Sequence, residues 1–354
     1  MRLLVLGGTA FVGRAVVDDA VARGWDVTVL NRGRSGSGSL PDGVTQVVGD
    51  RTRPEGLAGL GEVDGPAGGV WDAVVDTWSW APSAVRDSAR LLADRAERYV
   101  YVSSRSVYDA PAAGAREDWP VVDGSPDDGP DVPYARLKRG AELAVAEAFE
   151  ERATILRPGL VLGPREDVGR LPWWLTRVAR GGPFVAPGPA EAPVQLVDAR
   201  DLARFALDLV DPSRPTPAPP GPVDVVGPSG PVTTGRLLLV CVATTSDHRR
   251  RTGAPEATPR WVDPQVLLDA GVEPWTQLPV WLPPGEDHDA LHRSDVTTAL
   301  DLGLVVRPVE ATVADTWSWL RALARDGDGT APLRTDRPAV GLDPSREREV
   351  LAGL

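Results

Sequence analysis

Short apolar runs alternate with longer amphipathic stretches through the first half of the chain. Arg2–Leu6 is apolar after its first residue and predicts a strand buried on both faces. Val12–Arg23 has apolar positions at helical spacing and stops at Gly24, a suitable helix end. Asp26–Leu30 predicts a second strand, Gln46–Val48 a short third, and Ala73–Val75 a fourth, entered from the Gly- and Asp-rich stretch around Gly61–Gly69. Ser83–Ala96 predicts a helix, Tyr99–Ser103 a fifth strand, and Tyr134–Glu150 a long helix leading into a strand at Ala153–Leu156. Strands and helices in alternation predict an α/β fold, a doubly wound parallel sheet of the Rossmann type with right-handed crossovers.

After Pro158 the rhythm weakens as proline and glycine become frequent. Asp211–Pro222 carries six prolines and reads as a loop or stiff linker. Helices are expected at Val232–Thr245, Asp263–Ala270 and Val309–Arg325, and a last short one at Pro344–Leu354. The expected division is a nucleotide-binding domain over 1–165, with core strands continuing beyond it, a smaller substrate-binding region over 166–325, and a tail over 326–354. The tail from Asp326 to Pro338 is polar and reads as loose, and no internal repeat is visible.

Composition narrows the classes. The chain has 354 residues, 42% of them hydrophobic, enough for a sizeable core. Its net charge of -12 disfavours phosphate backbones, so nucleic acid is not an expected partner. One cysteine, Cys241, excludes an intrachain disulfide and a cysteine-built metal site, and a cytoplasmic location is expected. No apolar run approaches the roughly 20 residues a membrane helix needs, and Arg2–Leu6 is too short for a secretory leader.

The chemistry starts at Gly7-Gly8-Thr9-Ala10-Phe11-Val12-Gly13, between the first strand and the first helix. In that position Gly7 permits a tight turn, Gly13 permits close helix–strand packing, and the helix N-terminus favours a pyrophosphate. An acid at the end of the second strand would hold both ribose hydroxyls of NAD. Here that place reads Leu30-Asn31-Arg32-Gly33-Arg34, with no acid and two guanidiniums suited to a 2′-phosphate. The expected cofactor is therefore NADP, with NAD second. Asp50, in Gly49-Asp50-Arg51, is a candidate acceptor for the adenine amino group.

Tyr134 and Lys138 stand four apart on one predicted helix and share a face. A free tyrosine has a pKa of about 10, and a neighbouring ammonium favours its phenolate. The same lysine can reach a nicotinamide ribose. Tyr99–Ser103 ends in hydroxyls at the strand's C-terminal edge, where doubly wound sheets bind ligands, and Ser104 is a candidate to polarise a substrate oxygen. Serines in that place also cap turns.

Taken together these motifs make the chain resemble the extended or atypical short-chain dehydrogenase/reductases of the NAD-dependent epimerase/dehydratase family, over residues 1–205. The resemblance implies Tyr134 as general acid/base, Lys138 as its activator and Ser104 as the carbonyl partner, the serine being selected by its place four residues before the tyrosine of Val107-Tyr108. Leu156–Pro164 and Val194–Ala203 match the family's later motifs. Gly7, Thr9, Ala10, Phe11, Val12, Gly13, Asn31, Arg32, Arg34, Asp50 and Arg51 are the expected cofactor contacts, joined by Asp76, Thr77, Trp78 and Lys138. Trp78, Ser104, Arg105 and Tyr134 are expected to face a small-molecule substrate. The resemblance also implies a homodimer through the helices around Ser83–Ala96 and Tyr134–Glu150.

Three departures lean toward net reduction. Arg105-Ser106 stands where sugar-nucleotide dehydratases carry an acidic pair, and Leu160 where sugar-nucleotide enzymes usually carry an asparagine near the diphosphate. NADP, third, suits a reductase. The expected reaction is hydride transfer to a carbonyl-type small molecule; a sugar-nucleotide epimerase is the alternative. A cofactor sensor is disfavoured by the intact Ser104, Tyr134 and Lys138, and an RNA-binding member by the acidic charge. Twelve tryptophans against four phenylalanines suggest aromatic walls, with Trp78 the first candidate and Trp173, Trp174, Trp275 and Trp281 expected in the substrate half. His288 and His292 are four apart, but the expectation is a solvated loop without metal.

Overall fold

In the computed structural model, residues 1–33, 40–61, 70–214, 219–326, 331–335 and 338–353 are described. Among the described residues eleven strands run in chain order: β1 Arg2–Leu6, β2 Asp26–Asn31, β3 Thr45–Val48, β4 Trp71–Asp76, β5 Ala96–Val102, β6 Ala153–Pro158, β7 Leu160–Leu162, β8 Gly182–Pro187, β9 Leu196–Asp198, β10 Gly221–Val225 and β11 Ala257–Val262. The helices are α1 Phe11–Ala22, α2 Pro82–Leu92, α3 Tyr134–Phe149, α4 Arg170–Ala179, α5 Ala199–Asp208, α6 Thr234–Thr244, α7 Ser246–Thr252, α8 Pro264–Asp269, α9 Glu286–His292, α10 Thr297–Asp301, α11 Val309–Asp326 and α12 Pro344–Ala352.

Seven strands form one parallel sheet in the order β10-β6-β5-β4-β1-β2-β3. Side chains alternate across it. Leu3 and Val5 join one buried cluster with Val16, Val17 and Phe205 from α1 and α5, while Leu4 and Leu6 join the other with Val85, Ala141 and Phe149 from α2 and α3. Both faces are covered, so β1 reads as a continuous apolar run. The expected helix over Ser83–Ala96 ends at Leu92, because Ala96 already pairs with Trp71 as the first residue of β5.

The sheet's edge strand β10 begins in the last two residues, Gly221 and Pro222, of the stretch expected to be a linker. Gly221, Pro222 and Asp224 are poor strand formers, but β10 pairs with β6 alone, and an edge tolerates a proline. This strand and α5, which packs on α1, return from beyond residue 165. The body built on the seven-stranded sheet therefore continues past residue 165.

The second lobe has its own core, built by α4, α6 and α11 around β8 and β11, with Trp174 and Trp281 buried inside it. Beyond the stretch expected to be loose, which ends at Pro338, the chain joins that core, and α12 forms where a last short helix was expected. Leu342 and Val350 are buried, and Glu347 on α12 pairs with Arg177 on α4 at 2.5 Å. Among the described residues no helix is long and apolar enough to cross a membrane.

Candidate active site

The order of the sheet reverses between β1 and β4, and the loops leaving their C-terminal ends open a crevice there. Gly7 and Gly8 both have positive φ, +124° and +84°, a region that L side chains rarely adopt. A Cβ on Gly7 would lie 2.4 Å from Thr77 Oγ1, and one on Gly13 would lie 2.7 Å from the Gly8 amide nitrogen. The glycines thus let β1, β4 and α1 converge. Helix α1 starts with no side-chain cap and no acid in its first turn, so its opening N–H groups keep their preference for an anion.

Two cavities meet at this loop. The first, about 650 Å³, runs from Asn31, Arg32 and Gly49 past Gly7–Ala10 to Thr77 and Trp78. Arg32, Arg165 and Arg334 line it against Asp167, while Arg51 lines it already paired with buried Asp76, so in an acidic chain this cleft is locally cationic. Asn31 Oδ1 accepts from the Gly33 amide and from Gln46, whereas its Nδ2 is buried with no hydrogen-bond partner among the described residues. An orphaned donor, an uncapped helix start and a guanidinium at one end fit the ribose and phosphates of a dinucleotide.

The second cavity, about 820 Å³, brings together Ser104, Tyr134 and Lys138 with Phe11, Val12 and Gly13 of the first turn of α1. Lys138 is buried at 2% exposure, and its Nζ donates to the carbonyls of Trp78 at 2.6 Å and Val102 at 2.7 Å, over the ring of Tyr101. The ammonium is thereby held against the ends of β4 and β5. Tyr134, one turn before it, is half-buried. The Ser104 hydroxyl accepts from the Ser106 amide and lies 3.1 Å from the Ser106 hydroxyl, so it caps its own turn while lining the cavity. Leu160, Val161, Val168, Leu282 and Leu291 form apolar walls, with Trp275 under the Arg170 guanidinium.

The model of the NAD dependent epimerase/dehydratase family matches residues 3–217. The chain belongs to that family. A 2-alkyl-3-oxoalkanoate reductase of Stenotrophomonas maltophilia is 31% identical over 223 residues, which cover 58% of this chain and 64% of the relative's length. Three solved structures share the fold. The Bordetella bronchiseptica enzyme WbmH, in complex with NAD+, has a TM-score of 0.63 at 18% identity, over 90% of this chain and 98% of its own. The UDP-glucuronic acid 4-epimerase of Bacillus cereus, in complex with NAD, has 0.61 at 13%, over 91% and 99%. The UDP-glucose 4-epimerase of Thermotoga maritima, with UDP-glucose, has 0.61 at 19%, over 92% and 100%.

Against this epimerase/dehydratase frame, several expected contacts turn inward. Asp76 is fully buried and holds Arg51 through two hydrogen bonds of 2.7 Å each, while also accepting from Tyr99 at 2.7 Å and from the Trp78 amide. Its carboxylate is a support of the Trp78 loop rather than a ligand-facing group, and the Arg51 guanidinium is committed to it. Asp50 accepts from the Thr52 amide and hydroxyl, which holds its carboxyl below the ordinary range and ties it to its own turn, outside the first cavity. Arg105 lines the second cavity, but its guanidinium pairs with buried Asp224 on β10, beneath Tyr108. Arg34 lies outside the described residues. Thr9 and Thr77 line the first cavity, and Thr77 Oγ1 donates to the Leu6 carbonyl.

Trp78 lines the first cavity under Arg51 and donates from Nε1 to Ala81. Trp174 and Trp281 are core residues bonded to the Pro279 and Gly188 carbonyls. His288 and His292 are buried on α9 instead of solvated. His288 meets Asp289 and the Pro193 carbonyl, and His292 Nδ1 accepts from the Gln195 amide. Burial, with His288 beside it, pushes His292 down to about 4.

Sequence reasoning missed Glu142, two turns below Tyr134. Its fully buried carboxylate accepts from Ser103, from Arg157 through two nitrogens, and from Arg139. It ties α3 to β6 and to the residue before Ser104. The one signal available was a glutamate at an otherwise apolar position of the helix.

Proposed function

We propose that this protein is an NADP-dependent oxidoreductase that reduces the carbonyl of a small apolar acid. The observation that carries the reading is a cationic cleft, whose ribose end is lined by Arg32 and, among the described residues, by no acid, opening beside the cavity that Ser104, Tyr134 and Lys138 share. A nicotinamide dinucleotide, held by the Gly7–Gly13 turn and Arg32, would supply hydride chemistry. Tyr134 donates its hydroxyl proton to the substrate oxygen, and takes a proton back from solvent. Ser104 holds the same oxygen by a hydrogen bond and polarises it. Lys138, fixed by the Trp78 and Val102 carbonyls, places a positive charge near the phenol and orients it.

Apolar walls and Arg170 support an oxo acid with hydrocarbon arms, in keeping with the reductase of Stenotrophomonas maltophilia, and Leu160 offers no polar contact to a sugar diphosphate. The reading includes a homodimer on α2 and α3, which pack side by side; light scattering tests it. The function is tested by following NADPH and NADH consumption with a panel of carbonyl substrates that includes 2-alkyl-3-oxo acids. Net oxidation of NADPH in preference to NADH is expected. Protein that retains NAD through purification and consumes neither reduced cofactor would instead be an epimerase.

A further inference from the structure

Ala331–Thr335 lies far in sequence from the glycine loop, yet Leu333 and Arg334 line the first cavity with it. Three anchors hold this segment. The Arg334 amide donates to the Asp167 carbonyl at 2.8 Å, its guanidinium lies 5.4 Å from the centre of the Trp80 ring, and Leu333 packs on Gly169 so closely that an added Cβ there would meet it at 2.9 Å. Gly169 has φ +89°, so the loop before α4 is shaped to receive the segment.

The two cavities share Ala10, Thr77, Ser79, Asp167 and Arg334. A dinucleotide whose adenosine end sits near Asn31 and whose nicotinamide end reaches Lys138 must cross this junction. The part that crosses is the diphosphate, because it links the two nucleosides. Ala10, at the uncapped start of α1, and Arg334 both line the crossing.

We infer that Arg334 is a cofactor-binding residue, a guanidinium delivered by the C-terminal segment to the diphosphate of the dinucleotide, with Ala331–Thr335 strapped across it. The inference rests on the dinucleotide site proposed above. A fork of N–H donors suits a diphosphate bidentately. Because NADPH and NADH carry the same diphosphate, Arg334 serves both alike, whereas Arg32 distinguishes them.

The test is a fluorescence titration of the full-length protein with NADPH and with NADH, and competition by adenosine 2′-monophosphate, which has no diphosphate. Arg334→Ala is expected to weaken both dinucleotides by the same factor, roughly 10- to 100-fold, and to leave adenosine 2′-monophosphate unchanged. Arg334→Lys should recover part of the loss. An unchanged melting temperature in both variants separates binding from folding. Unaltered dinucleotide affinity in Arg334→Ala, or equal weakening of adenosine 2′-monophosphate, overturns the inference. Wild-type protein that prefers NADH while Arg334→Ala weakens both cofactors equally would overturn the NADP assignment and leave this inference standing. Wild-type protein that binds neither dinucleotide would sink both.

Discussion

Replacing Glu142 by leucine removes the carboxylate that joins α3, β6 and the end of β5. Arg157 then loses bonds of 2.9 and 2.8 Å and keeps a 3.4 Å contact to the Glu117 carbonyl and the face of Tyr108. Burial works against its charge, and Glu142 overcomes that and holds the guanidinium above its ordinary range. Breaking such a buried pair from one side costs about 3–5 kcal/mol. Arg157→Met should cost less, about 2 kcal/mol, because Glu142 retains Ser103 and Arg139 as charge-assisted partners. The double variant Glu142→Leu/Arg157→Met removes both charges and fills the space with hydrocarbon, so it should be less destabilised than Glu142→Leu alone. Equilibrium urea denaturation of the four proteins, followed by tryptophan fluorescence, measures the cycle. Single effects that add to the double within about 0.5 kcal/mol would refute the reasoning, since the pair would then contribute nothing as a pair.

Two further outcomes follow from the same structure. Arg32→Ala should weaken NADPH by roughly 10- to 100-fold and leave NADH nearly unchanged in the fluorescence titration, because Arg32 lines the ribose end of the first cavity; equal loss for both cofactors would contradict the 2′-phosphate assignment. His292 titrates near 4 when folded and near 6.5 when unfolded, so the unfolded chain binds the extra proton between those values. The stability it contributes is complete above pH 6.5 and lost as pH falls toward 4, about 3 kcal/mol in full. His292→Asn should flatten that part of the urea midpoint's pH profile, and an unaltered profile would count against it.

Much of the sheet was legible because both its faces are buried, which turns β1, β2 and the Tyr99–Val102 part of β5 into apolar runs. The glycine loop and the Tyr134–Lys138 spacing were legible because backbone sterics and helix geometry act over a few residues. What escaped depends on distance along the chain. β10 hides behind Pro222 and Asp224, and becomes a strand only because β6 offers an edge and Arg105 a counter-charge. Helix α4 hides behind Pro172, which its first turn accommodates. Arg51 and Arg105 read as ligand contacts because each sits at a strand end. Their partners Asp76 and Asp224 are 25 and 119 residues away, and only the fold reveals that these charges are spent inside. Leu333 and Arg334 belong to a stretch with no periodicity, so their place beside the glycine loop left no local trace.

The account depends on Tyr134 as the proton donor, and one comparison tests that most directly. Wild-type protein and Tyr134→Phe are assayed side by side for NADPH oxidation with the best carbonyl substrate, and for NADPH affinity by fluorescence. The phenylalanine variant should lose turnover by about 10²- to 10⁴-fold while binding NADPH as tightly as the wild type. A Tyr134→Phe protein that reduces the substrate at the wild-type rate would contradict the account.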